Sequence, residues 1–357
     1  MISDTLATMI KVLSLPSYHP YNKRFDNKKD IVFVNPDCDF FADGKSCSPE
    51  YLDKHFPPNT YDVVHLHFEY YLITPDRLEG LLQYFKSKRK PIIWTCHDRN
   101  SALKEQVDQK HEQLLFENAE AIITLTAGCS HWLYKQFGQH TGGVEVIPHG
   151  YITHPSIIES EEEGIKKDRN LFTMHLGDFR KSKEYVCSIR DFLACSKLEN
   201  ARLQIIYRPA NIFPRDNAEN HQLEIFSELI RHPRIITTCA FNIPDNVLTR
   251  AFLASHAVIL PYKWGTHSGQ LELARDCGSH IVVSDVGFYK DQWNSIFEWT
   301  VSDGKKDLYK ERYQRALIAA YTQKPLTVAG HWREDEFEQI IRQHVNVYNK
   351  AIYATNA

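Results

Sequence analysis

The chain has 357 residues, of which 43% are hydrophobic and 24% charged, and its formal net charge is −3. This composition is typical of a soluble globular protein with two domains of ordinary size. The small net charge provides no basic field, so nucleic acid is excluded as the expected main partner.

Eight cysteines are scattered singly along the chain, and no two form a C-x-x-C pair. This usage favours reduced thiols in a cytoplasmic protein. No apolar run is long enough to span a bilayer, and the N-terminus lacks the basic start and apolar segment of a signal peptide. We therefore expect a cytoplasmic location. The basic run at 86–90 leaves open a peripheral contact with the inner face of the membrane, although such runs are usually only solvated.

Apolar segments alternate with helical segments through residues 1–158, the predicted N-terminal domain. The predicted strands are 10–15, 31–35, 61–68, 91–98, 121–126 and 144–150, and the predicted helices are 76–87 and 101–118. Alternation of strands and helices predicts an α/β fold with a parallel, doubly wound sheet.

Residues 159–170 are charged and have no apolar period, which predicts an interdomain linker. The alternation resumes in a predicted C-terminal domain at 171–335. Its predicted strands are 171–176, 202–207, 235–238, 257–260 and 281–283, with a helix at 245–254. A last helix, within 336–357, is expected to seal the domain junction. The prediction is two Rossmann-like domains facing a cleft, with ligands at the carboxyl ends of the strands.

The stretch 260–287 is the most informative part of the chain. A strand ends at Pro261, a polar loop follows, a helix begins near Ser268, and a buried strand resumes at Ile281. A helix that begins there directs unpaired N–H groups and the positive end of its dipole out of the fold. The missing Cβ of Gly269 lets an anion approach closely, so a phosphate is the expected ligand.

This stretch resembles the donor-binding segment of retaining family 4 glycosyltransferases of GT-B fold. In that family a proline that ends a strand is followed by an E-x7-E pattern, a glycine and another strand. The spacing from Pro261 to Gly278 matches without a gap, but Gly265 and Leu273 occupy the two acidic positions. The segment 266–269, Thr-His-Ser-Gly, is similar to the "SG" phosphate loop of some bacterial members.

The resemblance implies that Arg180 and Lys183, in the loop that begins at Gly177, neutralise a nucleoside diphosphate. Fixed cations suit this role because the leaving diphosphate gains negative charge in the transition state. The alternative is an ordinary solvated run after a strand. The resemblance also implies donor contacts from Gly177, His267, Ser268, Gly269 and the backbone at Phe241.

Glu272 is one residue early for the family's second glutamate, about 100° around the helix. It is expected to hold ribose hydroxyls in place of the missing glutamate. A carboxylate in the first turn of a helix also stabilises the helix dipole, and the sequence leaves both readings open.

The predicted strand 91–98 ends in Thr-Cys-His-Asp, and the resemblance implies that its His97 lies near the donor sugar with a catalytic role. The alternative is a structural histidine. Asp98 and Arg99 are expected to orient His97 or to contact acceptor hydroxyls, although Asp98 also suits a helix cap.

Three further residues complete the expected acceptor side. His19 and Tyr21 lie in an aromatic, polar loop where the family often has a glycine-rich acceptor loop. Glu69 follows the predicted strand 61–68 and is an expected acceptor contact, with a solvated loop glutamate as the alternative.

Two patterns suggest a metal, and neither is specific. His65 and His67 lie on one face of a strand, and Asp37 and Asp39 form a D-x-D pattern. No third ligand follows at a suitable spacing, so we predict that the protein binds no metal.

The resemblance thus implies a metal-independent transferase that moves a hexose from a nucleotide sugar to a hydroxyl acceptor with retention of configuration. A glycan, as in polysaccharide biosynthesis, a lipid-linked glycan or a small molecule would each serve as acceptor, and no cofactor beyond the nucleotide sugar is expected. A GT-B nucleotide-sugar epimerase or phosphorylase is one alternative. A non-catalytic binding protein is another, which the two absent glutamates favour.

Overall fold

The computed structural model describes residues 9–28, 30–41, 47–98, 109–209, 217–301 and 303–357. Contacts between these residues divide them into two compact units. The first unit comprises the described residues of 9–97, 109–148 and 336–357. The second unit comprises Asp98 and the described residues of 149–335.

The first unit is built on a parallel sheet of six strands in the order β2-β1-β3-β4-β5-β6. The strands are β1 (Ile10–Leu15), β2 (Ile31–Phe33), β3 (Val63–Leu66), β4 (Ile92–Cys96), β5 (Ala121–Thr124) and β6 (Val144–Val146). The helices are α1 (Pro20–Lys23), α2 (Pro49–His55), α3 (Pro75–Ser87), α4 (Lys110–Asn118) and α5 (Ala127–Phe137). Each predicted strand is present, several of them shorter than predicted.

Helix α3 shows why these segments fold as they do. Thr74 caps its first turn by accepting a hydrogen bond from the backbone N–H of Arg77 at 3.4 Å, and Pro75 occupies the first helical position, where its missing N–H costs nothing. Leu78, Leu82 and Phe85 recur at helical spacing and are buried. The apolar stripe therefore packs inward, as the sequence predicts.

The second unit has a second parallel sheet of six strands, in the order β12-β11-β10-β7-β8-β9. The strands are β7 (Asp168–Gly177), β8 (Arg202–Tyr207), β9 (Ile235–Cys239), β10 (Ser255–Leu260), β11 (His280–Ser284) and β12 (Ile296–Trp299). The helices are α6 (Pro155–Glu162), α7 (Tyr185–Leu193), α8 (Asn217–Leu229), α9 (Asp245–Ala254), α10 (Gly269–Asp276), α11 (Tyr289–Gln292), α12 (Tyr309–Tyr321) and α13 (Trp332–Asn356).

Both faces of the second sheet are covered. Successive residues of a strand point to opposite faces. In β10, Ala257 and Ile259 join one buried apolar cluster, whereas Val258 and Leu260 join another. This burial on two sides explains the continuous apolar runs and confirms the predicted doubly wound α/β architecture.

The boundary between the units differs from the sequence expectation. The predicted linker, 159–170, contains the end of α6 and the first residues of β7, while the contacts divide the chain between residues 148 and 149. Helix α13 begins in the second unit and continues into the first. The helix predicted at 101–118 begins at Lys110 in the structure, and residues 99–108 lie outside the described part of the chain.

Two general expectations can be compared with the structure. All eight cysteines are free thiols. Within the described ranges, no helix combines the length and the apolar character that a membrane span requires.

Candidate functional site

In the second unit, the loops that follow β7 and β10 lie against each other. The N–H of Glu184 donates to the carbonyl of Pro261 at 2.7 Å, and the N–H of Lys263 donates to the carbonyl of Ser182 at 2.7 Å. The two strands are neighbours in the sheet, so their carboxyl ends meet at one edge. This pairing brings the Gly177 loop and the start of α10 together, as the sequence predicts.

Lys183 is buried in this region and is held by the end of β7. Its Nζ donates to the carbonyls of His175 at 2.8 Å and Leu176 at 3.0 Å. When the Gln270 amide is oriented to satisfy both groups, its oxygen accepts from Lys183 Nζ at 3.3 Å. The ammonium group is therefore fixed next to the first turn of α10.

Burial also changes the charge of this group. Burial, with a smaller contribution from the nearby guanidinium of Arg180, lowers the pKa of Lys183 from 10.5 to about 7. A bound anion would favour the protonated form.

The start of α10 is capped, and its first amides are available. Ser268 Oγ accepts from the backbone N–H of Leu271 at 3.3 Å and lies 3.0 Å from the hydroxyl of Tyr262. The N–H of Ser268 donates to Gln292 Oε1 at 2.8 Å. The expected phosphate contact from the Ser268 amide is therefore corrected, since that amide already has an acceptor. Within the described part of the chain, the N–H groups of Gly269 and Gln270 have none.

Gly269 is not required by the fold around it. Its φ lies outside the left-handed region, and an added Cβ would meet Ile152 Cδ1, the flexible end of a side chain, at 3.4 Å. A glycine that neither backbone conformation nor crowding demands is consistent with the close approach of a ligand.

If the first amides of α10 bind the phosphates of a nucleotide, we expect Gly269→Ala to weaken nucleotide binding about tenfold or more, because the methyl group would limit the close approach of the anion. Stability should change by less than about 1 kcal/mol, since alanine is the better helix former. Isothermal titration calorimetry with the nucleotide measures the first effect and chemical denaturation the second.

The matched control is Gly80→Ala. Gly80 is a helical glycine of the first unit, with nothing within 4 Å of an added Cβ. This substitution should leave nucleotide affinity unchanged, and equal loss of affinity in both variants would contradict the role given to Gly269.

Arg180 is presented by a tightly turned loop. Gly177 and Phe179 both have left-handed backbones, with φ of +61° and +55°. Arg180 is half exposed, and its Nη2 lies 3.9 Å from Asp178 Oδ2. Asp178 also accepts from Arg208 Nη1 at 3.0 Å. The sequence did not single out Arg208 as a candidate site residue. Its position directly after β8, the neighbour of β7, could have indicated that it lies near the Gly177 loop.

Glu272 is engaged by the protein itself. Its Oε2 accepts from Arg333 Nη2 at 2.8 Å and its Oε1 from Gln292 Nε2 at 3.0 Å. Arg333 Nε also donates to Asp276 Oδ1 at 2.8 Å, and all three charged side chains are at most 2% exposed. This buried network favours the structural reading of Glu272 over the expected ribose contact.

The two remaining predicted donor residues, Phe241 and His267, follow different strands of the second sheet. Phe241 is 69% exposed and follows β9, the edge strand that β8 separates from β7. His267 is nearly buried, with its Nδ1 3.9 Å from Asp98 Oδ1 and its ring 5.6 Å from that of His149.

In the first unit, His97 directly follows β4 and is buried. Its Nε2 lies 3.4 Å from His67 Nδ1. Its ring is 4.7 Å from that of Tyr21 and 5.2 Å from that of Phe68. His97 and Tyr21 therefore lie together where β1, β3 and β4, three neighbouring strands, have their carboxyl ends.

His19 and Glu69 lie at the same edge of this sheet. His19 caps α1, its Nδ1 accepting from the N–H of Tyr21 at 3.2 Å, and burial lowers the pKa of its imidazole to about 4. Glu69 Oε1 accepts from the hydroxyl of Tyr18 at 2.6 Å. Arg99, the last predicted acceptor residue, lies outside the described residues.

Residues of both metal patterns have other partners in the structure. The rings of His65 and His67 are 3.8 Å apart, but His65 uses both nitrogens, at 2.7 Å from Tyr348 Oη and 2.7 Å from Thr95 Oγ1. Asp37 pairs with Lys23. In the described part of the chain, no three potential metal ligands cluster.

Comparison with known proteins defines the class of fold first. Sucrose-phosphate synthase from Thermosynechococcus elongatus is 14% identical with a TM-score of 0.67, over 97% of this chain and 100% of that one. HepE from Anabaena, solved in complex with UDP, is 13% identical with a TM-score of 0.61, over 96% and 100%. α,α-Trehalose 6-phosphate synthase from Burkholderia multivorans is 11% identical with a TM-score of 0.55, over 98% of each chain. The two α/β units, each built on a parallel sheet, thus have the fold of GT-B glycosyltransferases.

A family match by sequence covers a smaller part of the chain than these structural matches do. Residues 24–154 match the model named Glycosyltransferase Family 4, and no curated protein matches the chain. The resemblance predicted from motifs in the second half is therefore supported by an independent match in the first half.

Proposed function

We propose that the protein is a retaining glycosyltransferase that moves a hexose from a nucleoside-diphosphate sugar to a hydroxyl acceptor. The family match and the GT-B fold support the general class. The observation that carries the proposal is the start of α10. Among the described residues the backbone N–H groups of Gly269 and Gln270 have no acceptor there, and the side-chain oxygen of Gln270 accepts from Lys183 Nζ at 3.3 Å when the amide is oriented to satisfy both groups. Related structures of Anabaena HepE contain UDP, UDP-glucose, or UDP and glucose.

In the proposed reaction, the bond between the sugar's anomeric carbon and the diphosphate breaks while a bond to the acceptor oxygen forms on the same face. The acceptor proton passes to an oxygen of the departing diphosphate. Arg180, Lys183 and the amides of α10 stabilise the charge that develops on that leaving group. No residue is assigned as a covalent nucleophile, and no metal is required.

A thermal-shift screen with UDP, GDP, ADP, dTDP and their sugars, with and without EDTA, tests donor binding. A ligand that binds only the folded protein raises its melting temperature by mass action. One nucleotide is expected to stand out and to be insensitive to EDTA. A shift abolished by EDTA would contradict metal independence, and NMR of the product's anomeric proton would test retention.

A non-catalytic binding protein is the second candidate. It is favoured by Gly265 and Leu273 at the family's two acidic positions, together with the engagement of Glu272 by Arg333 and Gln292. Nucleotide binding without turnover of any nucleotide sugar would support it. Sugar isomerisation, or a requirement for inorganic phosphate, would instead indicate an epimerase or a phosphorylase.

The pKa of Lys183 predicts a pH dependence of donor binding. Because the ammonium form attracts the diphosphate, the Kd of the nucleotide sugar should rise about tenfold between pH 6 and pH 8, as a group with a pKa of about 7 loses its proton. A nucleotide sugar is preferable to a free diphosphate, whose terminal phosphate titrates in the same range.

The stability of the protein should change with pH in the opposite direction to donor binding. The pKa of Lys183 is lower in the folded protein than its ordinary value of 10.5, so the unfolded chain binds more protons between pH 7 and 10.5. Its contribution to stability therefore increases with pH over that window. Lys183→Met should weaken binding and flatten both pH profiles, and an unchanged binding profile in this variant would exclude Lys183 as the titrating group.

A further inference from the structure

The loops that follow β1 and β3 place an incompletely satisfied carboxylate at the edge of the first sheet. Glu69 Oε1 accepts from the hydroxyl of Tyr18 at 2.6 Å. Glu69 Oε2 is buried and has no hydrogen-bond donor among the residues that the structure describes. A buried acceptor without a donor is costly, and a ligand that supplies one relieves that cost.

Aromatic rings cluster around the residue that precedes this carboxylate. Phe68, the residue before Glu69, has its ring 4.5 Å from that of His19 and 5.2 Å from that of His97. A sugar presents C–H groups on its ring faces and hydroxyl donors at its edges. A carboxylate beside aromatic rings offers partners for both kinds of group.

The charges that the structure describes near Glu69 oppose an anionic ligand. Asp39 lies close enough to raise the pKa of Glu69, after the larger effect of burial. The imidazole of His19, with a pKa of about 4, is neutral near pH 7. Of the basic residues that follow His19 in the chain, Lys23 pairs with Asp37, and Arg24 packs over the ring of Tyr21 at 4.4 Å.

We propose that Glu69 and Tyr18 bind the hydroxyl groups of an uncharged sugar acceptor, and that this site selects against phosphorylated sugars. The proposal rests on the proposed function and specifies its acceptor class. Glu69 Oε2 accepts from a hydroxyl of the acceptor, Phe68 contacts the sugar ring, and the carboxylates repel a phosphate group.

The test measures sugar binding to the full chain saturated with the nucleotide found in the thermal-shift screen. The probes are glucose, galactose, mannose, maltose and sucrose, together with the 6-phosphates of the three monosaccharides. Saturation-transfer NMR measures the binding of each sugar. We expect at least one uncharged monosaccharide to bind at least tenfold more tightly than its 6-phosphate. Glu69→Ala should weaken that binding at least tenfold without changing nucleotide affinity.

Two further variants keep the test decisive if Glu69→Ala folds poorly. Glu69→Gln retains an oxygen acceptor and loses the charge, so it should bind the uncharged sugar within about threefold of wild type and bind the 6-phosphates more tightly. Tyr18→Phe should weaken sugar binding several-fold. Glu79→Ala, which changes an exposed glutamate of α3 in the same unit, is the matched control and should change nothing.

Preferred binding of the 6-phosphates, no binding of any uncharged sugar in the panel, or unchanged affinity in Glu69→Ala would each overturn the proposal. The proposed function would survive those outcomes if a nucleotide still binds. Conversely, the absence of any nucleotide effect in the thermal-shift screen would refute the proposed function, whatever the sugars do.

Discussion

Arg180→Ala is expected to lower turnover of the nucleotide sugar by about 10²-fold to 10³-fold, the usual cost of removing one group that stabilises developing negative charge. The side chain is half exposed, and its ion pair with Asp178 is long at 3.9 Å. Folding should therefore be unaffected, and the melting temperature should match that of the wild type. Steady-state kinetics with the donor identified by thermal shift measures the effect.

The chain supplies a close control in Arg190→Ala. Arg190 is also about half exposed, and it also lies 3.9 Å from a neighbouring carboxylate, that of Asp191. It belongs to α7 rather than to the loop after β7, so its loss should leave turnover within about twofold. A loss of less than threefold for Arg180→Ala, or equal losses for both variants, would show that Arg180 does not act on the leaving group.

Arg333→Ala is expected to destabilise the protein by about 3 to 5 kcal/mol, because it leaves two buried carboxylates without their shared cation. Arg333 is 1% exposed, and it donates to Glu272 and to Asp276 at 2.8 Å each. Chemical denaturation followed by tryptophan fluorescence measures this. Trp293 and Trp332, with Arg275 over their rings at 4.4 and 4.7 Å, are local reporters.

The destabilisation should depend on pH in a defined direction. Burial already raises the pKa of Asp276 to about 6, and removal of Arg333 would raise it further. The variant should therefore lose less stability near pH 5, where the carboxyl group is protonated, than at pH 7.

The control is Arg342→Ala, an exposed residue of the same helix whose Nη1 lies 3.9 Å from Glu338. It should cost less than about 0.5 kcal/mol. Destabilisation by Arg333→Ala that is as small as this, or that is independent of pH, would contradict a buried charge network.

Much of the fold could be predicted because its signals are local. The run Ile10–Leu15 is a strand with the predicted bounds, and the apolar spacing in α3 identifies the helix and its buried face. The four-residue strand β12 and helix α12 were not predicted. The former is a short edge strand of four residues, too short to show a clear period.

The candidate site could be predicted only at the level of loops. Gly177, His97 and the start of α10 could be singled out because each follows the end of a predicted strand. Open parallel sheets bind their ligands at the carboxyl ends of the strands. The partners of particular side chains were not accessible. Ser268 meets Gln292 across 24 residues of sequence, and Tyr18 meets Glu69 across 51.

Glu272 shows the division most clearly. Its position in the first turn of a helix follows from the amino-acid order, because caps and apolar periods are properties of a few adjacent residues. Its role depends on Arg333, which is 61 residues away and becomes a partner only once α10 and the start of α13 have packed. Local patterns thus identified the α/β class and the strand ends, and they predicted a phosphate-binding turn at the start of α10. The tertiary structure determined which polar groups form hydrogen bonds with one another, since bonds between distant residues depend on the folded arrangement of the backbone.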